Sequence, residues 1–254
     1  MKASRSGILD PLLGLITLLL FWQLAALAMG KPILPGPATV LPLFFQNLFG
    51  DLGLHFLASA ARVILAIVMA VCTAAPLGLI LGQAPRINAL FSPVITILYP
   101  VPKIVFLPVI YVLMGISDIS KIFLISLILF FQILVVVRDE AASLTPELIA
   151  SVRSLGAGRR ALFRFVYLPA TLPAILTALR VSVGTAVAVL FIAEQALTQW
   201  GLGYYIVVET YQILLYPEMY TGILAMGLMG SLLYGLIRII ERKLAPHLFI
   251  KDME

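Results

Sequence analysis

In a chain that is 62% hydrophobic and only 11% charged, the few charged side chains carry most of the information. Three of them, Lys103, Arg180 and Glu194, interrupt apolar runs of membrane length. An ionisable group at bilayer depth is costly, so by default it faces a protein interior or a wet cavity and marks a route for a solute or ion. Lys103 follows Pro102 in a run that is also broken by Pro93, Pro100 and Pro108. Prolines there free backbone carbonyls that only protein or a water-filled space can satisfy. Lys103 and Arg180 could draw an anion along such a route, and Glu194 stands where an outer gate would be. Each residue also has a plainer reading. Lys103 in a bent, re-entrant entry and Arg180 about two turns into its run can extend their stems to the headgroups, and Glu194 can be an interfacial residue.

The other chemically distinctive stretch is polar. Residues 138–169 read RDEAASLTPELIASVRSLGAGRRALFRFVYLP and include Arg138, Arg153, Arg159, Arg160 and Arg164. A charge cluster of this kind between two apolar runs must lie outside the hydrocarbon. Thr145, Pro146 and Glu147 suit a helix start as cap, first residue and dipole partner. Leu148, Ile149, Val152 and Leu155 then form one apolar stripe, and Gly156 suits a left-handed C-terminal cap. A short helix with an apolar stripe ringed by arginines reads as a docking element or as a helix lying at the headgroups. No enzyme signature accompanies it. GAGRRA at 156–161 lacks the second glycine and the lysine of a phosphate loop, and no HExxH, CxxC or GxSxG occurs. The lone Cys72 can form no internal disulfide, and His55 and His247 have no metal-ligand spacing. No catalytic, cofactor-binding or metal-binding residue is expected.

These features need elements to position them. Mean hydropathy of +1.10 defines a polytopic membrane protein. Apolar runs at residues 8–29, 56–82, 90–114, 119–137, 172–195 and 220–240 predict an all-α protein of about six spans, one transmembrane domain over 1–254. The first run is too long for a signal-peptide core and reads as an uncleaved span. LPLFFQNLF at 41–49 is an interfacial segment, QAPRIN at 83–88 a short turn, and residues 196–219 an outer loop. Gly78 and Gly82 form a GxxxG pair that lets another helix approach closely. Net charge is +5, but the basic residues sort by loop, which points to topology rather than to nucleic acid. Twelve of the 17 Lys and Arg residues, among them Lys2, Arg5, Arg86 and the arginines of 138–169, fall on one side, and the other side holds little more than Lys31 and Lys121. The positive-inside rule then puts both termini and the 138–169 stretch in the cytoplasm.

On these residues the chain resembles the permeases of binding-protein-dependent ABC importers, in their nitrate/sulfonate/taurine-type branch. The family's cytoplasmic loop carries EAA, three residues, then Gly, with Leu-Pro ending thirteen positions later. Gly156 and Leu168-Pro169 keep that spacing, while Ala150-Ser151-Val152 stands where EAA belongs and the literal Glu140-Ala141-Ala142 lies ten residues too early. The departure puts an ionic role for that glutamate in doubt, not the apolar stripe. HFLASAARVILA (55–66), FSPVITILYPVPKIVFLP (91–108) and AEQ…GLGYYI (193–206) extend the likeness over most of residues 55–245. The resemblance implies a type I importer permease fold in a bacterial inner membrane and a homodimer of permeases. It also implies an external substrate-binding protein and two ATPase subunits, which hold the ATP and Mg. Leu148, Ile149, Val152, Arg153, Leu155, Gly156, Ala157, Arg159, Arg160, Leu168 and Pro169 would couple to the ATPase, while Pro102, Lys103, Arg180 and Glu194 would line the path. The alternative is a stand-alone secondary transporter or channel, which calls for internal repeats and intramembrane acids; no clear repeat occurs and Glu194 is the one candidate acid.

Overall fold

The computed structural model describes residues 9–195 and 198–245. Lys2, Arg5, His247 and Lys251 lie outside that range. All regular structure among the described residues is helical. Helices α1 (Leu9–Met29), α3 (Asp51–Gln83), α6 (Asp118–Ala142) and α11 (Tyr216–Leu244) are long and apolar enough to span, as is the stretch Arg160–Glu194, whose main part is α9 (Leu168–Glu194). A sixth candidate is a bent pair. It consists of α4 (Pro85–Leu98) and a 3-10 turn (Lys103–Phe106) leading into α5 (Leu107–Met114), with an angle of 82° between its halves. Shorter elements join them: α2 (Pro37–Leu48), α7 (Pro146–Ser154), α8 (Arg159–Leu162), and α10 (Leu202–Tyr204) with the π turn Tyr205–Thr210 behind it.

The core is built on α3 and α6, which share the largest helix–helix interface in the chain. Both present a row at every fourth position, the spacing at which helical side chains stack into a ridge. On α3 the row descends from Arg62 through Ala66, Ala70 and Ala74 to Gly78 and Gly82. On α6 it runs from Lys121 through Ile125, Leu129, Ile133 and Val137 to Ala141, all of them buried. Small residues on one helix meet branched ones on the other, so the backbones close up. A Cβ at Gly78 would come within 2.9 Å of the Val137 Cβ, and one at Gly82 within 2.5 Å of the Arg138 carbonyl. The GxxxG pair therefore acts inside one chain. Gln83 closes the same end by donating to the Ala141 carbonyl.

Several boundaries differ from the hydropathy reading, because hydrogen bonding carries helices beyond their apolar stretches. The expected turn at 83–88 shrinks to Ala84, since Pro85 has the φ of a first helical residue and starts α4 at once. Helix α6 begins one residue earlier, at Asp118, because Ser117 and Ser120 form a capping box. Lys121, counted among the few basic residues of the outer side, lies in the buried ridge at 2% exposure. Leu168 and Pro169 open α9, after a π turn over Phe163–Tyr167. The expected loop at 196–219 contains α10 and its π turn, and Tyr216 already belongs to α11.

Helix α1 is the outlier. Its apolar side chains are exposed over almost all of its length, a surface suited to lipid, and it is held at its end by Trp22, which donates to the Pro35 carbonyl at 2.9 Å and stacks on Tyr220. The close approach of α3 to α6 predicts that Gly82→Ile costs about 1–3 kcal/mol through overpacking. The check is the thermal unfolding midpoint of the detergent-solubilised protein, where a wild-type value would contradict the packing described.

Candidate translocation and coupling sites

The bundle has two chemically distinct ends, named here by Gly156 and Glu194. At the Gly156 end, α7 stands away from the core and buries none of its residues. Thr145 occupies its N-cap with extended backbone, yet its hydroxyl makes no capping bond; Pro146 needs no donor there, and Glu147 faces the positive end of the dipole. Leu148 and Leu155 are 43% and 84% exposed, and Ile149 and Val152 are half-buried. Gly156 has φ +83 and ends the helix through an N–H bond to the Arg153 carbonyl at 2.9 Å. No heavy atom lies within 4 Å of where its Cβ would be, so backbone conformation rather than space calls for glycine. Ile149, Ala150 and Arg153 line a groove closed by Gln83 and Tyr167. Ala157 is half-buried beyond the cap, Arg159 opens α8, Arg160 is exposed, and Leu168-Pro169 starts α9. The coupling candidates therefore form one continuous segment that enters a long helix.

The path candidates are dispersed. Lys103 sits where the bent pair breaks. Its ammonium donates to the Tyr99 carbonyl at 2.6 Å and lies 4.5 Å from the centre of the Phe131 ring, so it caps the break that Pro100 and Pro102 impose. Pro102 holds the extended backbone before that turn. Arg180, on α9, pairs with Glu241 of α11 at 3.5 Å, and Glu241 also accepts from the Thr177 hydroxyl at 3.4 Å.

Glu194, the last residue of α9, has no exposure to solvent. Its carboxylate accepts from Arg62 Nη1 at 2.5 Å, from the Ser59 hydroxyl at 2.8 Å and from the Gly203 N–H at 3.0 Å. Arg62 is itself 4% exposed and spends its remaining donors on Asp118 of α6, at 2.9 and 2.7 Å, and on the Trp200 carbonyl at 2.7 Å. Glu194 and Arg62 therefore tie α9, α3, α6 and the 198–213 segment together. Ser59 relays by accepting from Leu202 N–H at 2.8 Å, and His55 accepts from Gly201 N–H at 3.0 Å while its other nitrogen faces Glu209 at 3.2 Å. Lys121 donates to Thr198 at 2.9 Å with Asp118 3.8 Å away. Gly201 is required, because a Cβ there would collide with the Glu194 carboxylate and its φ is +132.

Of this network, sequence reasoning singled out Glu194 as a site residue and missed the partners. Arg62 stood in plain view, six residues into the expected span 56–82, where a lone guanidinium demands a counter-charge. Ser59 and His55, on the turns before it, share its face of α3. Nothing in sequence alone joins them to Gly201 or Trp200.

The comparisons with known proteins follow the same lines. The family description "Binding-protein-dependent transport system inner membrane component" matches residues 74–249. The taurine transport system permease protein TauC of Escherichia coli is 32% identical over 91% of this chain and 86% of its own length. The putative aliphatic sulfonates transport permease protein SsuC of Bacillus subtilis is 27% identical over 95% of this chain and 88% of its own, and the nitrate import permease protein NrtB of Synechocystis 26% over 94% and 90%. A chain of the inward-facing MetNI methionine ABC transporter shares the fold, with a TM-score of 0.62 at 19% identity over 77% of this chain and 96% of that one.

Removing one member of the buried pair strands the other, so Arg62→Ala should cost about 3–5 kcal/mol. Arg62→Met combined with Glu194→Gln leaves no unpaired charge and should recover much of that loss, as a double-mutant cycle on thermal unfolding would report. Additive losses would contradict the pairing. The chain belongs to the inner-membrane components of binding-protein-dependent transport systems and is a multi-pass permease of an ABC importer, not itself an enzyme.

Proposed function

We propose that this permease works as a homodimer with two ATPase subunits on the cytoplasmic face and a substrate-binding protein outside, and imports a small anion of the sulfonate, nitrate or taurine kind. The observation that carries the reading is α7. It is a helix with no fully buried residue whose Leu148 and Leu155 are exposed, closed by a glycine at positive φ and followed by α8 and a π turn that lead into α9. An apolar stripe left out of the fold is suited to a groove on a partner, where burying each leucine would contribute about 1.5–3 kcal/mol. Arg153, Arg159 and Arg160 would meet the rim of that groove. Closure of the ATPase pair around ATP then moves α7, and Leu168-Pro169 passes the movement into α9.

Charge supports the orientation. Arg86, Arg138, Arg153, Arg160, Arg164, Arg242 and Lys243 gather toward the Gly156 end, whereas Arg62 and Lys121 toward the other end are buried among acids and hydroxyls. The Gly156 end and both termini are therefore cytoplasmic and the Glu194 end external. The path runs between two copies beside the bent α4–α5 pair and α9, with Pro102 and Lys103 at the bend, Arg180 within α9, and Glu194 beside the outer gate. For the substrate, the names of three relatives point to taurine, sulfonates and nitrate, and a basic Lys103 beside the path agrees with an anion.

Gly156→Asp should abolish ATP-driven uptake while membrane insertion stays normal, because an aspartate at φ +83 strains the cap and puts a negative charge at the negative end of the α7 dipole. Uptake at the wild-type rate would remove α7 from the coupling route. Proteoliposomes holding the whole transporter, given the binding protein and ATP, should accumulate a small sulfonate or nitrate. Accumulation restricted to solutes that carry no sulfonate, nitrate or other anionic group would rule out the assignment.

A further inference from the structure

The segment 201–213 is bracketed by two unusual backbone conformations. Gly201 has φ +132, and Leu214 has φ +65, the single non-glycine residue with positive φ among those described. Between them run α10, the π turn Tyr205–Thr210 and a 3-10 turn Tyr211–Ile213. Leu202, Gly203, Tyr205, Ile206 and Thr210 of this piece are buried, so it packs as one unit between those two points. Its first turn is held by three side chains from other elements. Glu194 accepts from Gly203 N–H, Ser59 from Leu202 N–H and His55 from Gly201 N–H.

One of these holders differs from the rest. Ser59 and His55 belong to α3, whereas Glu194 ends α9, the helix that begins at Leu168-Pro169 directly after the cytoplasmic loop. Helix α9 is 27 residues long, which at about 1.5 Å per residue makes a rod of about 40 Å from the cytoplasmic end to the external one. A displacement at its lower end is therefore felt at Glu194. The buried carboxylate cannot leave its donors without a large desolvation penalty, so the donors must follow it or be exchanged for others.

We infer that Glu194 is a positioning residue that fastens the external segment 201–213 to α9, so that this segment moves when the ATPases drive α9. The inference rests on the orientation and coupling reading given above. Gly201 and Gly203 belong to the fastening because each lets the backbone lie directly on Glu194: a Cβ at Gly203 would come within 2.7 Å of the Glu194 Cβ. Arg62 aims the carboxylate and in turn ties it to Asp118 on α6, whose side chain is open to solvent. The arrangement gives a single acid two tasks, pairing with Arg62 of the α3–α6 core and holding the 201–213 segment through Gly203.

The test uses the complete transporter in proteoliposomes with its binding protein, in a Cys72→Ser background. Spin labels are placed at Ile213→Cys and Leu57→Cys, both positions being exposed. In the otherwise unaltered protein the distance between the labels should change between the nucleotide-free and the ATP-vanadate states. In Glu194→Gln that change should be lost and uptake per ATP hydrolysed should fall about tenfold, within the usual range of coupling between sites, while ATP hydrolysis continues. Glu194→Asp, which keeps a negative charge for Arg62 but shortens the reach to the Gly203 N–H, should give the same uncoupling and serves if Glu194→Gln fails to fold. A Glu194→Gln transporter with wild-type label movement and wild-type uptake per ATP would overturn the inference. So would parallel loss of hydrolysis, uptake and thermal stability in both variants, the mark of a purely structural role. An unaltered transporter that imports with ATP but shows no movement at residue 213 would also overturn it while leaving the coupling reading intact. Failure of the unaltered protein to couple uptake to ATP would instead sink the coupling reading.

Discussion

Hydrocarbon offers a buried charge neither water nor ions, so every charged group inside the bundle must find its partner in the protein. The pairing of Glu194 with Arg62 is the sharpest case, and much of the architecture is arranged to permit it. A carboxylate with no solvent exposure is reached by a guanidinium from α3, a hydroxyl one turn away and a backbone N–H from a glycine turn. The guanidinium then extends the pairing to Asp118 at the start of α6. Nearer the other end of α9, Arg180 and Thr177 reach Glu241 on α11, with longer separations of 3.5 and 3.4 Å. Helix α9 is thus tied tightly to the α3–α6 core at one end and more loosely to α11 further down.

The static part is the α3–α6 pair. Its rows of small and branched residues bury both helices without polar contacts over most of their length, and the charged residues Arg62 and Lys121 close the rows at the Glu194 end. Between lipid-soluble helices close packing replaces hydrophobic driving force, so Gly78 and Gly82 matter for the distance they allow. The bent α4–α5 pair lacks such a seam. Its prolines interrupt the backbone ladder and Lys103 supplies the missing donor to Tyr99, which leaves a break in a span where a rigid helix would have been cheaper.

Membrane class, helical fold and family were legible because they depend on patterns that survive without tertiary information: apolar run length, and the spacing of Gly156 to Leu168-Pro169. Helix ends were less legible, since α4 and α6 are fixed by Pro85 and by the Ser117–Ser120 box rather than by hydropathy. Lys121, near the edge of its span, was counted with the outer side, whereas it is buried and donates to Thr198, a partner 77 residues away. The network around Glu194 was least legible. Arg62, Ser59 and His55 share a face of α3, but apart from Asp118 their partners lie 132 to 154 residues away in sequence. Glu194 stood out as an isolated acid, whereas its grip on Gly201 and Gly203 depends on how a loop with no periodicity folds back.

The account turns on the permease passing force between an ATPase and the external face, and the most direct measurement begins with what the protein carries. Tagged permease would be solubilised from native membranes in mild detergent, and the co-purifying chains identified and assayed for ATP hydrolysis. The account predicts an ATPase subunit with a phosphate-loop motif in a stable complex, hydrolysing ATP faster when the loaded binding protein is added. A permease that purifies alone and moves solute in liposomes without ATP would contradict it.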